Sequence, residues 1–301
     1  MNRHALIDRL TVFLASLFAG GNRFFSESME SQSLEALLED ISIPLRSLKN
    51  GVTEFRVETP AGETGPALYV HRFIDCRHPT IIYHHGSGEK PFDFGRFSKN
   101  TFRDLFMRSD ELPDINLISL RAPFHDRGSR HYARKMTRLS NFTAMLCVST
   151  VIIQALAELL HEEGCGNVTV CGISLGGWVT NLHKAFMDSA DTYIPIMAGA
   201  SLDDLFLGSS YSRLTGRKAL EYPEKLKTAL DYSDKLSRRD LSNVFPLLAL
   251  HDQYIRYDVQ RPCYGERYVK ELDKGHVTAL LATEELREHI LQAVEVRSSV
   301  R

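Results

Sequence analysis

Leu6, Leu10, Phe13, Leu14, Leu17 and Phe18 recur three or four residues apart, and Gly20-Gly21 ends the run. The stripe is one-sided, so it predicts an amphipathic helix packed on the rest of the chain, with a linker running on to residue 50. Two other readings of the stretch stay open. An aromatic apolar face flanked by Arg3 and Arg9 also suits a helix lying on a membrane surface, with peripheral contact through residues 6–18. The apolar run Leu10–Ala19 has the length of a secretory signal, but Asp8 sits in its flank and no A-x-A site follows cleanly.

Beyond Gly51 the pattern changes to short segments. Val52–Thr59 and Ala67–Ile74 alternate or carry β-branched and aromatic residues around turn residues, which predicts an antiparallel pair. Thr80–Tyr83, Asn116–Leu120, Val168–Cys171, Tyr193–Met197 and Pro246–Leu250 are continuous apolar runs of the buried-strand kind. Tyr264–Leu272 reads as one further strand, with more charge. Helical segments separate these runs, the longest from about Leu139 to His161. Strands alternating with helices predict an α/β domain, its mostly parallel sheet covered by helices on both faces. Residues 200–243 break the alternation and are polar and helical in character. They predict a lid-like insertion over the C-terminal edge of the sheet. The expected organisation is 1–50 as helix and linker, 51–199 and 244–301 as core, and 200–243 as insertion.

Composition removes several classes. Of 301 residues, 43% are hydrophobic and 25% charged, which excludes a disordered, collagenous or rod-like chain. Lys+Arg total 36 and Asp+Glu 38, a net charge of -2, so no global basic field invites nucleic acid. No uncharged apolar stretch is long enough to span a bilayer. The 5 cysteines are odd in number and not closely paired, which argues against a disulfide framework and for a reducing, cytoplasmic compartment.

The chemistry centres on Gly172-Ile173-Ser174-Leu175-Gly176, a G-x-S-x-G pattern between a predicted strand and a predicted helix. Such a sharp turn presents the Ser174 hydroxyl at the edge of the sheet, and small neighbours let strand and helix approach. Acyl transfer also needs two backbone N–H donors for the oxyanion. One is expected from Leu175. The other is expected from Ser87, or from Gly88, in His84-His85-Gly86-Ser87-Gly88, which follows an early strand. Neither G-x-G-x-x-G nor H-E-x-x-H is completed, since Pro91 and Cys165 interrupt them, and adjacent strand residues His84 and His85 cannot easily share an ion. No metal is expected. The base is His276, in Lys274-Gly275-His276-Val277 before the closing helix, with His289 the bland surface alternative. The orienting acid is Asp252, just past the strand before it, with Asp258 and Asp203 as rivals and Asp273 too near in sequence.

With Ser174, Asp252 and His276 in that order, and His85-Gly86 after an early strand, the sequence resembles the α/β-hydrolase superfamily over roughly residues 50–297. It looks most like an abhydrolase-domain branch long labelled as a domain of unknown function. That similarity rests on the amphipathic N-terminal helix and on Arg121–Phe124, Gly172–Gly177, Asp252–Ile255 and Gly275–Val277. Lys274 departs from the glycine that often precedes the Gly-His pair. The resemblance implies an α/β-hydrolase fold and a serine hydrolase of esterase or lipase type, with no metal or organic cofactor.

Substrate choice is less legible. Arg121, Arg127, Arg130, Arg134, Lys135 and Arg138 face only Asp126, so an anionic substrate group competes with a solvated basic loop. His85, Gly86 and Arg121 are expected at the substrate, a small-molecule or lipid ester. Phe92, Phe94 and Phe97 line an acyl pocket or belong to the core, and Tyr211, Tyr222 and Leu205–Leu207 are candidates for a lid wall. The alternatives are an acyltransferase or peptidase on the same triad, or a non-catalytic hydrolase-like binding protein.

Overall fold

The computed structural model describes residues 2–108 and 112–298; the outermost positions of the expected 1–50 and 244–301 segments, 1 and 299–301, lie outside the described residues. Eight strands form one sheet: β1 (Gly51–Glu54), β2 (Ala67–Arg72), β3 (Thr80–His84), β4 (Asn116–Arg121), β5 (Val168–Ile173), β6 (Thr192–Ile196), β7 (Leu247–Ala249) and β8 (Lys270–Leu272). Their order is β1-β2-β4-β3-β5-β6-β7-β8. β1 pairs antiparallel with β2 and β2 with β4, and every later pairing is parallel. β3, β5 and β6 are buried along their whole length, which is why they read as unbroken apolar runs.

Twelve helices surround the sheet among the described residues: α1 (Arg3–Phe18), α2 (Leu34–Asp40), α3 (Ser129–Lys135), α4 (Leu139–Glu162), α5 (Leu175–Phe186), α6 (Asp203–Leu207), α7 (Arg217–Glu221), α8 (Pro223–Leu230), α9 (Ser233–Ser237), α10 (Tyr257–Gln260), α11 (His276–Leu280) and α12 (Thr283–Ser298). α4 is long and apolar enough to cross a membrane, but 83% of its most apolar window is buried inside the molecule. Residues 200–243, between β6 and β7, hold α6 to α9 and are packed against the rest of the molecule. Ala219, Leu226, Leu230 and Leu236 are each 0% exposed.

Four expectations change. The apolar stripe of α1 faces outward: Leu10 is 52% exposed, Leu17 61% and Phe18 87%, while the helix seats itself through His4, Ala5, Asp8 and Val12. Residues up to 50 are not merely a linker, because Phe25, Met29, Leu34, Leu37, Leu38, Ile41 and Ile43 join the hydrophobic core. β8 is shorter than the expected strand Tyr264–Leu272. Gly265, at φ 52°, breaks the extended backbone, and Tyr264 is buried in a helical turn with its hydroxyl donating to the Ala198 carbonyl at 2.8 Å. Finally, two of the cysteines pair: a Cys76–Cys165 disulfide ties the loop before β3 to the loop before β5, while Cys147, Cys171 and Cys263 are buried thiols. That bridge sits at the edge of the sheet opposite Ser174. Cysteine spacing along the chain does not reveal it, because β3 and β5 are neighbours only in the folded sheet.

Candidate active site

Ser174 joins β5 to α5 at φ 54° and ψ -109°, a strained conformation for a residue with a Cβ. The chain adopts it because its neighbours are glycines. A Cβ on Gly172 would overlap the Gly176 carbonyl, and one on Gly176 would overlap the His84 carbonyl. One on Gly177 would lie 2.7 Å from the Ile196 carbonyl oxygen. The start of α5 is thereby pressed between the ends of β3 and β6, and the serine stands half-buried at the C-terminal edge of the sheet.

Two loops at the same edge supply the other groups. Asp252 follows β7 and His276 follows β8, and they are 3% and 5% exposed. His276 Nδ1 lies 2.7 Å from Asp252 Oδ2. The other oxygen, Oδ1, accepts the N–H groups of Tyr254 at 2.7 Å and Ile255 at 2.8 Å. An ionised carboxylate only accepts, so Nδ1 carries the proton and Nε2 keeps its lone pair. Burial alone would lower the His276 pKa. The Asp252 charge, its hydrogen bond and the more distant Asp8 charge together outweigh that and raise it above the usual histidine value. The Tyr254 ring stacks on the imidazole, centroids 4.6 Å apart. Tyr211 of the insertion packs on Tyr254 in turn, at 5.5 Å. Asp252 and His276 are thus joined directly. The Ser174 hydroxyl shares their edge of the sheet and makes no hydrogen bond among the described residues. Asp273, set aside as too near in sequence, bonds His251 Nε2 at 2.6 Å.

Two of three consecutive N–H groups in the loop after β3 are bonded. Gly86 N–H donates to Glu89 Oε1 at 2.8 Å and Gly88 N–H to His125 Nε2 at 3.3 Å. That engages the Gly88 N–H and leaves that of Ser87, which, like that of Leu175, has no partner among the described residues. His85 and Gly86 shape this loop rather than reach toward a substrate. His85 Nδ1 pairs with the Gly86 carbonyl at 2.7 Å, its Nε2 accepts Ala122 N–H at 3.1 Å, and Gly86 makes room for the Glu89 carboxylate.

Arg121 does not stand on the substrate side either. Its guanidinium lies on Glu54 at 3.3 Å and on the Gly65 carbonyl at 3.2 Å, bracing the β1–β2 hairpin. In the rest of the basic stretch, Arg127 pairs with Asp126 and Arg138 with Glu27. Phe97 is 94% exposed, and Phe92 and Phe94 pack around Tyr69, so none of the three forms an acyl pocket at Ser174. A cavity of about 540 Å³ opens beside the loop, lined by Gly88, Phe97, His125, Arg127 and Tyr132 among others, and Ser174 is not in its wall.

Sequence reasoning missed four contributors. Glu89 and His125 pin the loop of Ser87, and Tyr254 supports the imidazole. Asp8 of α1 reaches the backbone of His276 itself, at 2.7 Å. The one available signal for Asp8 was an acid standing alone in an apolar helix.

A mostly parallel sheet wrapped by helices, with a strained serine after its fifth strand and a bonded acid–histidine pair at the same edge, defines the architecture: the chain has the α/β-hydrolase fold. Residues 102–244 match the family model described as "Alpha/beta hydrolase domain containing 18". The matched stretch holds Ser174 and Leu175 and ends before Asp252 and His276. Among solved structures, the Pyrococcus horikoshii acylaminoacyl peptidase is similar at 14% identity and TM-score 0.54, over 84% of this chain and 41% of that one. Acetyl xylan esterase 1 from Thermoanaerobacterium sp. is similar at 14% identity and TM-score 0.51, over 85% of this chain and 92% of that one. Est1E from Butyrivibrio proteoclasticus is similar at 13% identity and TM-score 0.50, over 80% of this chain and 99% of that one. At such identities the likeness is one of fold. No curated protein matches the sequence.

Proposed function

We propose that the protein is a serine hydrolase that cleaves carboxylic esters through Ser174, His276 and Asp252. The observation that carries this reading is the buried 2.7 Å contact between His276 Nδ1 and Asp252, at the sheet edge that also bears the strained Ser174. As substrate docks, the hydroxyl closes on Nε2, a contact that is often long in an empty site. His276 takes the serine proton, Oγ attacks the ester carbonyl, and the N–H groups of Leu175 and Ser87 receive the oxyanion. The alcohol leaves with the proton from His276. Water then loses a proton to the same base, attacks the acyl-enzyme, and the acid departs as Ser174 is restored. No metal or organic cofactor enters these steps.

A fluorophosphonate probe tests the nucleophile, and p-nitrophenyl esters of graded acyl length test the reaction. Ser174→Ala should abolish labelling and lower kcat by about 10⁴–10⁶. A loss below tenfold would reject the assignment. An added alcohol acceptor separates transfer from hydrolysis.

The outward stripe of α1 supports a lipid surface as the place of action. Asp8, the only acid in the helix, is buried, so its exposed charges are Arg3 and Arg9, beside the apolar row of Leu10, Leu14 and Phe18. That combination favours anionic bilayers. Vesicle flotation checks it. The protein should float with vesicles containing phosphatidylserine, and Leu10→Asp with Phe18→Asp should abolish flotation. Equal flotation of both proteins counts against the membrane role.

A further inference from the structure

α1 lies outside the sheet, yet one of its side chains reaches both loops that carry the acid and the base. Asp8 is 0% exposed. Its Oδ2 accepts the His276 N–H at 2.7 Å and the Gln253 N–H at 3.1 Å, and its Oδ1 accepts the Val277 N–H at 3.0 Å. Gln253 is the residue after Asp252, so a single carboxylate bridges the loop of the acid and the loop of the base. The approach is close enough to dictate the sequence around it. A Cβ on Gly275 would stand 2.7 Å from Asp8 Oδ2 and 2.9 Å from the His4 carbonyl oxygen. Two further bonds flank the contact, His4 Nδ1 with Thr278 Oγ1 at 2.9 Å and Arg9 Nε to Gln253 Oε1 at 2.8 Å.

A carboxylate is a poor choice for merely seating a helix, because burying its charge is costly and an apolar side chain would seat α1 at less cost. What a carboxylate adds is a rigid acceptor for several N–H groups and a negative charge whose field reaches the imidazole.

We propose that Asp8 is a positioning residue for the general base: it holds the backbone of His276 against that of Gln253, and its charge stabilises the imidazolium formed in each turnover. The proposal rests on the serine hydrolase reading. The titratable groups facing His276 are Asp252 and Tyr254 from the loop after β7 and Asp8 from α1. Burial raises the Asp8 pKa, and its three N–H bonds oppose that rise and favour the ionised form. Because the Asp8 charge contributes to the raised basicity of His276, removing it makes the base weaker.

The test measures the rate at which a fluorophosphonate labels Ser174 across pH. The serine O–P bond forms as the P–F bond breaks, fluoride leaves, and the serine proton passes to His276, so the rate reads the base without knowledge of the natural ester. Asp8→Asn keeps the shape and one oxygen. It should slow the high-pH plateau about tenfold to a hundredfold, the scale of a displaced catalytic group, and move the acid limb to lower pH. Asp8→Ala should slow it further, and if that variant does not fold, Asp8→Asn alone carries the test. Glu39→Gln, which removes an exposed carboxylate of α2, should leave rate and limb unchanged. An Asp8→Asn protein with wild-type plateau and limb overturns the proposal. So does a slower plateau with an unmoved limb, which would make Asp8 a structural prop only. If wild type fails to label, the serine hydrolase reading itself falls, and this proposal with it.

Discussion

Asp252→Asn should lower ester hydrolysis about 10⁴-fold, or about 5.5 kcal/mol, while leaving the fold in place. The two oxygens of Asp252 have different partners. Oδ1 is held by two backbone donors, Tyr254 N–H at 2.7 Å and Ile255 N–H at 2.8 Å, and Oδ2 faces His276 Nδ1 at 2.7 Å. In asparagine the amide oxygen must stay with the two N–H donors, since an NH₂ group there would meet donors only. The amide nitrogen is then forced toward the imidazole. Nδ1 becomes the acceptor, the proton moves to Nε2, and Nε2 can no longer take the serine proton. The number of hydrogen bonds is unchanged, so stability should move by no more than about 1 kcal/mol. The assay is kcat/KM for a p-nitrophenyl ester between pH 6 and 9, beside a thermal melt and the rate of fluorophosphonate labelling. A variant that melts like wild type and keeps more than a tenth of its kcat/KM would refute the tautomer argument and the role of Asp252 with it.

Three other outcomes follow from the geometry. Gly176→Ala drives a Cβ into the His84 carbonyl, backbone against backbone, and should cost about 3 kcal/mol or more in a urea titration; a wild-type midpoint would contradict the packing of α5 against β3. Arg121→Ala loses a pair whose Glu54 partner is 66% exposed, so stability should fall by less than about 1 kcal/mol, and KM for an anionic ester should not rise relative to a neutral one; a selective rise would restore Arg121 to the substrate. Acid should destabilise the fold through His84 and His125, which burial lowers to about 4. The unfolded chain binds protons near the ordinary histidine value and the folded chain does not, so their contribution is present above that value and is lost as pH falls toward 4. The loss is roughly 3 kcal/mol each, and a His125→Gln variant should flatten the fall in urea midpoint between pH 7 and 5.

The parts of the fold that were legible in the sequence are those whose physics is local. β3, β5 and β6 are buried on both faces and therefore appear as unbroken apolar runs. The elbow is legible because a strained serine needs glycines within two or three residues of it, and the chain order of serine, acid and histidine follows from the order of the strands. What stayed hidden depends on contacts made across the chain. Asp8 meets its partner 268 residues away, and no periodicity encodes that. Its buried bonds decide which face of α1 turns inward, against the pull of the apolar stripe, so the hydrophobic pattern alone predicts the wrong face. Arg121 fails for a similar reason. Its position after β4 is near the catalytic edge, but the antiparallel neighbour β2 brings Gly65 and Glu54 within reach first. The Cys76–Cys165 pair likewise requires the sheet order before it can be foreseen.

The loop after β3 shows how a site can be specified by what it leaves unbonded. Three consecutive N–H groups, from Gly86, Ser87 and Gly88, are chemically alike. Two are claimed by buried side chains: Glu89, whose carboxyl burial raises to about 7, and His125, which burial keeps neutral with Nε2 as an acceptor. Glu89 is held in turn by the Thr101 N–H at 2.7 Å and the Thr101 hydroxyl at 2.9 Å, so the loop is anchored to the segment that carries Thr101. A fixed donor is useful to an oxyanion only if it does not have to break another bond first, because preorganised dipoles reorganise nothing during the reaction. In the proposed mechanism Ser87 and Leu175 would meet that condition, one because its neighbours' N–H groups are engaged and the other because it stands at the unpaired start of α5. Gly176, with no side chain between α5 and the His84 carbonyl, is what allows the two loops bearing them to approach.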